Sequence, residues 1–515
     1  MIAEFKNTTY LDFSQPANKQ AMEEALKFVE GQFSHEYPLF INGKDVKTGD
    51  LFKSYNPCEK TQVVGAFHKA GKKEVDMAME AGWRAFESWK NVDPKERAFV
   101  LFKAAEIMRR RRFELNAWMI MEASKSWNEA DGEVAEAIDF LDFYGREMLR
   151  YSERQPIVPQ PGEISELVYI PLGVGVVIPP WNFPLAILTG MASAAIVTGN
   201  PVLLKPASDT PVIGYKLVEI FQEAGLPDGV LNYIPGSGGV IGDYLVTHPK
   251  TRFIAFTGSM EVGLRINQLA ATPQKGQVWV KRVIAEMGGK DAIVVDDEAD
   301  LASAVEGVAL AAFGFQGQKC SACSRAIIHE KVYDEFVQRL VERVRKITVG
   351  PVKNPANWMG AVMSAGAQEK IMQYVEIGKK ESKLAIGGEP GPDAGYFIQP
   401  TVFKDVPADA RISCEEIFGP VLAVTKARDF DEAIKFANAT DYGLTGAVYT
   451  RNRFKIEKAK REFHCGNLYL NRKCTGAMVG GHPFGGFNMS GTDSKAGGRD
   501  YLLLFLQAKS IAEKL

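Results

Sequence analysis

The 515-residue chain lacks any excess of charge, with 61 Lys plus Arg against 63 Asp plus Glu. That balance leaves little to hold a polyanion or an anionic bilayer, so nucleic acid and membrane are excluded as principal partners and a small molecule is favoured. Cysteine is scarce: the six residues Cys58, Cys320, Cys323, Cys414, Cys465 and Cys474 are scattered, which excludes a disulfide framework and points to the reducing cytoplasm. Met1-Ile2-Ala3-Glu4-Phe5-Lys6 lacks the basic and apolar regions of a secretory leader. Internal repeats and low-complexity segments are absent too. One span, Pro171 to Leu204, has no charged residue. Pro179-Pro180 and Pro184 break it, leaving a helical piece of about 15 residues, roughly 22 Å, against a hydrocarbon core of about 30 Å. It reads as a buried strand and helix.

What is present is alternation. Residues 1–37 read as a helical lead, and Leu39-Phe40-Ile41-Asn42-Gly43 as a hairpin on an Asn-Gly turn. Lys73 to Met121 reads as helical, with Met77, Ala81, Phe86 and Trp89 on one apolar side. Its basic run Arg109–Arg112, flanked by Glu106 and Glu114, reads as a solvated face. Between Leu172 and Ala270 strands at 175–178, 202–204, 230–234 and 253–256 are each followed by a helix, starting at Pro184, Pro211, Gly238 and Ser259. This pattern predicts right-handed crossovers and a parallel sheet covered on both faces. The usual dinucleotide fingerprint is missing: Gly236-Ser237-Gly238 is followed by Gly242, one residue too far for GxGxxG, and the strand at 202–204 ends in Lys205-Pro206 where an acid is expected. A second alternating region runs from Gly288 to about Asn471. The apolar stretch Tyr501–Leu506 predicts pairing with a partner subunit.

Two residues suggest chemistry. Cys320 follows the apolar, Gly-bearing run Ala311–Phe315 and the turn Gln316-Gly317-Gln318-Lys319, which suits a thiol at a pocket mouth with Lys319 placed to lower its pKa. Glu286 opens the turn Met287-Gly288-Gly289-Lys290. A thiolate that adds to a carbonyl, and a carboxylate that activates water against the resulting thioester, are what aldehyde oxidation needs. Taken singly, a Cys is as readily a small buried hydrophobe and a Glu a solvated charge.

Several further motifs stand in order: Pro180-Trp181-Asn182-Phe183-Pro184, Leu204-Lys205-Pro206-Ala207, Phe256-Thr257-Gly258-Ser259, Glu415-Glu416-Ile417-Phe418-Gly419-Pro420 and Pro483-Phe484-Gly485-Gly486. With the Glu286 and Cys320 segments, they make the chain resemble the NAD(P)-dependent aldehyde dehydrogenase superfamily from about Leu39 onward. The resemblance implies an α/β fold with two parallel-sheet domains and a β oligomerisation arm. Residues 1–156 and 172–288 would bind the cofactor, 289–478 would form the catalytic domain, and 157–171 with 479–515 would bridge subunits of a homodimer or larger oligomer. It implies Cys320 as nucleophile, Glu286 as base, and Asn182 as a donor to the oxyanion, where the residues alone also allow an Asx turn before Pro184. For the cofactor it implies Lys205 and Ser208 at the adenosine ribose, Gly238, Gly258 and Ser259 near the pyrophosphate, and Glu416 with Phe418 at the nicotinamide end.

The segment from Thr475-Gly476-Ala477 to Gly498 is most similar to the branch of the superfamily that oxidises glutamate γ-semialdehyde. This implies Ser321 and the amides of Gly476 and Ala477 on the substrate carboxylate, Phe183 and Phe484 on its aliphatic part, and Glu136 toward its amino group. NAD is the implied cofactor. Ser208 stands where many NAD-selective relatives have a Glu, so NADP is also expected to be accepted. Cys323 reads as packing, or as a partner that oxidation could join to Cys320, and no metal is implied. The alternatives are a semialdehyde dehydrogenase that passes its acyl group to coenzyme A, against which Glu286 argues, and a non-enzymatic thiol sensor.

Overall fold

The computed structural model describes residues 4–515. Met1, Ile2 and Ala3, which begin the expected helical lead and the expected 1–156 segment, lie outside the described residues. The lead is one helix, α1 (Pro16–Glu30), reached through chain without regular secondary structure. The expected long helix is three: α2 (Lys72–Trp89), α3 (Pro94–Arg110) and α4 (Arg112–Ala123). The break has a local cause, since the Asp93 carboxylate accepts from Lys95 N at 2.8 Å and Pro94 takes the first helical position. Ala81, Phe86 and Trp89 are buried as expected, whereas Met77 is exposed. The basic run is solvated at Arg110 and partly buried at Arg109, Arg111 and Arg112. Arg109 pairs with Glu106 and Asp142, Arg110 with Glu223, Arg111 with Glu114 and Glu219, and Arg112 with Asp131, which stitches neighbouring helices together.

Two seven-stranded sheets form the body. The first holds β1 (Leu39–Ile41), β2 (Lys44–Val46), β3 (Gly175–Ile178), β4 (Val202–Leu204), β5 (Leu231–Tyr233), β6 (Phe253–Thr257) and β7 (Arg282–Glu286) in the order β7-β6-β3-β4-β5-β1-β2. Strands β3 to β7 are mutually parallel, and the β1–β2 hairpin adds antiparallel to β5. Chain order runs from β3 through β4 to β5 on one side and resumes with β6 on the other, so the topological switch lies between β3 and β6.

The uncharged span supplies β3 and α6 (Ala186–Val197), a helix buried at every position but Ile187. Such a helix is apolar all round because it has neighbours all round. Its Gly190 lets α5 (Trp127–Ser152) approach, an added Cβ lying 3.2 Å from the Phe140 ring. Helix α6 begins two residues past Pro184, whereas Pro211 does open α7 (Pro211–Glu223). The turn after β5 leads into a π-helical stretch at Gly238–Gly242 and α8 (Asp243–Thr247), and Ser259 caps α9 (Met260–Ala271).

The second sheet holds β8 (Asp291–Val295), β9 (Cys323–His329), β10 (Lys383–Ile386), β11 (Thr401–Lys404), β12 (Val421–Ala427), β13 (Thr445–Tyr449) and β14 (Asn467–Leu470), ordered β10-β11-β12-β9-β8-β13-β14 and parallel except for β10. Only Met287-Gly288-Gly289-Lys290 separates β7 of one sheet from β8 of the other. Glu163–Pro171 and Leu506–Lys514 pair as an antiparallel ribbon.

Much of Tyr501–Leu506 is buried in its own chain, where Tyr501 stacks on Tyr144 at 5.4 Å and Phe505 meets Phe253 edge-on, while Leu503 and Leu504 stay half-buried. Among the described residues no helix is long and apolar enough to cross a membrane.

Candidate active site

Glu286 ends β7 of the first sheet, and Cys320 precedes β9 of the second. The link between the sheets is where the two segments meet. A Cβ on Gly289 would lie 2.4 Å from the Cys320 carbonyl oxygen, and one on Gly288 would lie 2.3 Å from the Glu416 carboxylate. Bare backbone at both positions is what allows these approaches.

The segment carrying Cys320 leaves α10 (Leu301–Phe313) through a turn in which Phe315, Gln316 and Gly317 all have positive φ, at 50°, 57° and 68°. Each left-handed residue other than glycine costs about 1–2 kcal/mol, so the turn needs bracing. Gln316 braces it. Its amide donates to the carbonyls of Ser124 at 3.0 Å and Ala361 at 2.8 Å and accepts from Gly360 N at 3.2 Å. The Gln318 side chain accepts from Met363 N at 2.9 Å. Nothing in the sequence marks Gln316, because its three partners lie on distant segments.

Cys320 lines a cavity of about 660 Å³ together with Glu286. Ser321, Gly476, Ala477, Phe183, Phe484 and Glu136 line the same cavity. Asn182 is buried, and its amide nitrogen donates to the Gln318 carbonyl at 3.0 Å. That nitrogen carries two N–H groups, which leaves one for an oxyanion.

Lys319 does not serve as expected. Its ammonium donates to both oxygens of Glu129 at 2.7 Å. The thiol of Cys320 is instead pushed well above the ordinary range, first by burial and then by the carboxylates of Asp291, Glu286 and Glu416. Burial likewise pushes Glu286 up to about 7, although one carboxylate oxygen accepts from the hydroxyl and the N–H of Ser494. Glu136 is pushed up to about 8 by burial and by Glu133. Cys323 faces the core beneath the second sheet, where it meets the thiol of Cys474 and donates to the Arg325 carbonyl at 3.3 Å, so it is set for packing.

A buried ion pair underlies the cavity wall. The Lys125 ammonium is fully enclosed 2.8 Å from Glu133 and 3.9 Å from the ring centres of both Phe183 and Phe315. The other oxygen of Glu133 accepts from Leu185 N at 2.8 Å and Ala186 N at 3.0 Å, fixing the start of α6 just after Phe183. One cation thus braces a cavity wall and the nucleophile turn together, a role without any local sequence signal.

The residues expected at the cofactor lie apart from this cavity. Lys205, Gly238, Gly258 and Ser259 follow the carboxyl ends of β4, β5 and β6, on the side where open α/β sheets hold ligands. Among the described residues the buried Lys205 ammonium donates only to the Pro206 carbonyl at 3.2 Å, and burial lowers its pKa to about 8. An enclosed cation without an ion pair among the described residues fits a polar ligand such as a ribose. Ser208 is exposed in the loop beyond it. Gly238 has nothing within 4 Å of its Cβ direction, and Ser259 opens α9 at the surface. Glu416 accepts from Gly289 N at 2.9 Å, while Phe418, at φ 61°, packs edge-on against Trp181. This set fits an extended dinucleotide crossing from the first sheet toward Cys320.

The fold and this site define a class: residues 44–511 match the aldehyde dehydrogenase family, and the chain belongs to it. It is 58% identical over 513 residues, covering all of both chains, to the 1-pyrroline-5-carboxylate dehydrogenase of Geobacillus thermodenitrificans (strain NG80-2). Among solved structures it is similar to 1-pyrroline-5-carboxylate dehydrogenase from Thermus with bound NAD, at TM-score 0.99 and 50% identity over the whole of both chains. A more distant likeness is betaine aldehyde dehydrogenase from Staphylococcus aureus in complex with NAD+, at TM-score 0.89 and 28% identity over 96% of this chain and 97% of that one.

Proposed function

We propose that the chain oxidises L-glutamate 5-semialdehyde, the open form of 1-pyrroline-5-carboxylate, to L-glutamate, a step of proline and arginine breakdown. The observation that carries this reading is the single cavity shared by Cys320, Glu286 and the carboxylate-binding group Ser321, Gly476 and Ala477. Lys205, Ser208, Gly238, Gly258, Ser259, Glu416 and Phe418 would hold NAD, which would supply the hydride acceptor, and NADP would be accepted more weakly. The Cys320 sulfur forms a bond to the aldehyde carbon as its proton passes to solvent water. The second N–H of Asn182 and the Cys320 backbone N–H stabilise the oxyanion. Phe183 and Phe484 hold the aliphatic part, and Glu136 takes the amino group. Once the carbon has been oxidised to a thioester, Glu286 removes a proton from water, the hydroxide adds, and the carbon–sulfur bond breaks to return the thiol and release the acid.

The division of the chain follows the same reading. Residues 1–156 and 172–288 hold the cofactor, 289–478 hold the nucleophile, and 157–171 with 479–515 bridge subunits of a homo-oligomer. The exposed ribbon supports the last part, since two strands alone are marginal in water and call for cover. The free cysteines suit the cytoplasm. The test is NADH absorbance on adding pyrroline-5-carboxylate: one glutamate should appear per NADH, without coenzyme A. A rate that requires coenzyme A would overturn the hydrolytic step.

A further inference from the structure

The cavity wall carries charged groups beyond the catalytic pair. Glu129, Glu133 and Glu136 line it beside two ammonium groups, Lys319 and Lys473. The charge of Lys319 is already matched by the two-oxygen bond to Glu129. Lys473 is different. Among the described residues it forms no ion pair, and its ammonium donates no hydrogen bond. It is only partly exposed, and both burial and the neighbouring Lys319 disfavour its charge, with Glu129, already committed, as the opposing influence. A half-desolvated cation without a counter-ion is costly to keep unless a ligand supplies the anion.

Its place says which part of a ligand that is. Lys473 is three residues before Gly476, and its Cε lies 3.7 Å from where a Gly476 Cβ would stand, so the side chain runs past that turn. Between them, the Cys474 thiol donates to the Ser321 carbonyl at 3.3 Å, tying the Lys473 segment to the residue beside the nucleophile. Lys473, Ser321, Gly476 and Ala477 thus line one cavity on two segments tied together, while the nearby Arg472 guanidinium is committed to the carbonyls of Thr475 and Gly476.

We infer that Lys473 is a specificity-determining residue: its ammonium supplies the charge that draws in and holds the carboxylate of a carboxylate-bearing aldehyde, while Ser321 and the Gly476 and Ala477 amides supply direction. This deepens the substrate reading above and rests on it. The expected discrimination is against aldehydes of equal length that lack the carboxylate.

The experiment compares wild type, Lys473→Met and Lys473→Arg on glutamate semialdehyde, glutarate semialdehyde and pentanal. Lys473→Met should raise KM about tenfold for both carboxylate substrates, with kcat within about twofold and pentanal kinetics unchanged. Lys473→Arg should restore most of the loss. Added salt should raise the wild-type KM for the carboxylates and leave that of Lys473→Met nearly flat. Normal pentanal turnover certifies that the variant is folded. An unchanged KM for glutarate semialdehyde, or an equal change for pentanal, overturns the inference. A wild type that oxidises pentanal and glutarate semialdehyde but not glutamate semialdehyde overturns the substrate assignment instead, and the glutarate semialdehyde comparison still decides Lys473.

Discussion

Burial pushes the Glu286 carboxyl up to about 7, and its charge in turn helps hold the Cys320 thiol neutral. The two groups are coupled, and removing one should show in the other. Glu286→Gln should keep a burst of NADH while steady turnover falls about a hundredfold or more, because acylation needs no base for water and hydrolysis does. Alkylation of Cys320 by iodoacetamide should shift to lower pH in that variant, since one of the carboxylates raising the thiol is gone. Loss of burst and steady rate in equal measure would place Glu286 before hydride transfer instead. In the wild type, the base works only when ionised, so the steady rate should fall as pH drops through about 7. Cys320 and Glu286 were legible in the sequence because each sits in a turn with its own signature. The pairing of Lys319 was not, because Glu129 lies 190 residues away on another helix. A charge beside a thiol in sequence says nothing about which side chain it faces.

At the level of elements, buried parallel strands announce themselves as short apolar runs punctuated by Gly and Pro, so β3 to β6 and their crossovers could be placed to within a residue or two. The three-helix break at Asp93-Pro94 and the self-burial of Tyr501–Leu506 were missed for opposite reasons. The first is a capping signal overridden by an apolar pattern that runs through it, and the second is a tertiary contact that an apolar run alone cannot assign. The turn at Gly314–Gly317 is the element on which the nucleophile depends. Gly317→Ala would put a Cβ 2.3 Å from the Gly419 carbonyl oxygen at a φ of 68°. A loss of about 1–3 kcal/mol in urea unfolding and a larger proportional loss of kcat are expected. Wild-type kcat in that variant would mean that the turn relaxes without moving Cys320. The loop after β4 carries the other element-level test. Ser208→Glu should depress NADP-linked activity by about tenfold or more while sparing NAD, through repulsion of the additional phosphate. Equal losses would remove Ser208 from the cofactor.

For the whole molecule, two sheets joined by four residues contribute one reactive group each, and the ribbon of Glu163–Pro171 with Leu506–Lys514 stands outside both. Deleting residues 507–515 leaves the Tyr501–Phe505 anchor in place. The shortened chain should melt within a few degrees of the full one yet elute as a smaller species in size-exclusion chromatography. Unchanged elution would show that assembly uses another surface.

The Glu286 carboxylate is tethered to Ser494, a residue 208 positions later in the chain. A ribosome has therefore made the nucleophile turn, both sheets and the carboxylate-binding loop before the catalytic carboxylate can be seated. A product terminated between Cys320 and Ser494 has its thiol but an untethered base. Seating of the hydrolytic base is thus a late event in synthesis.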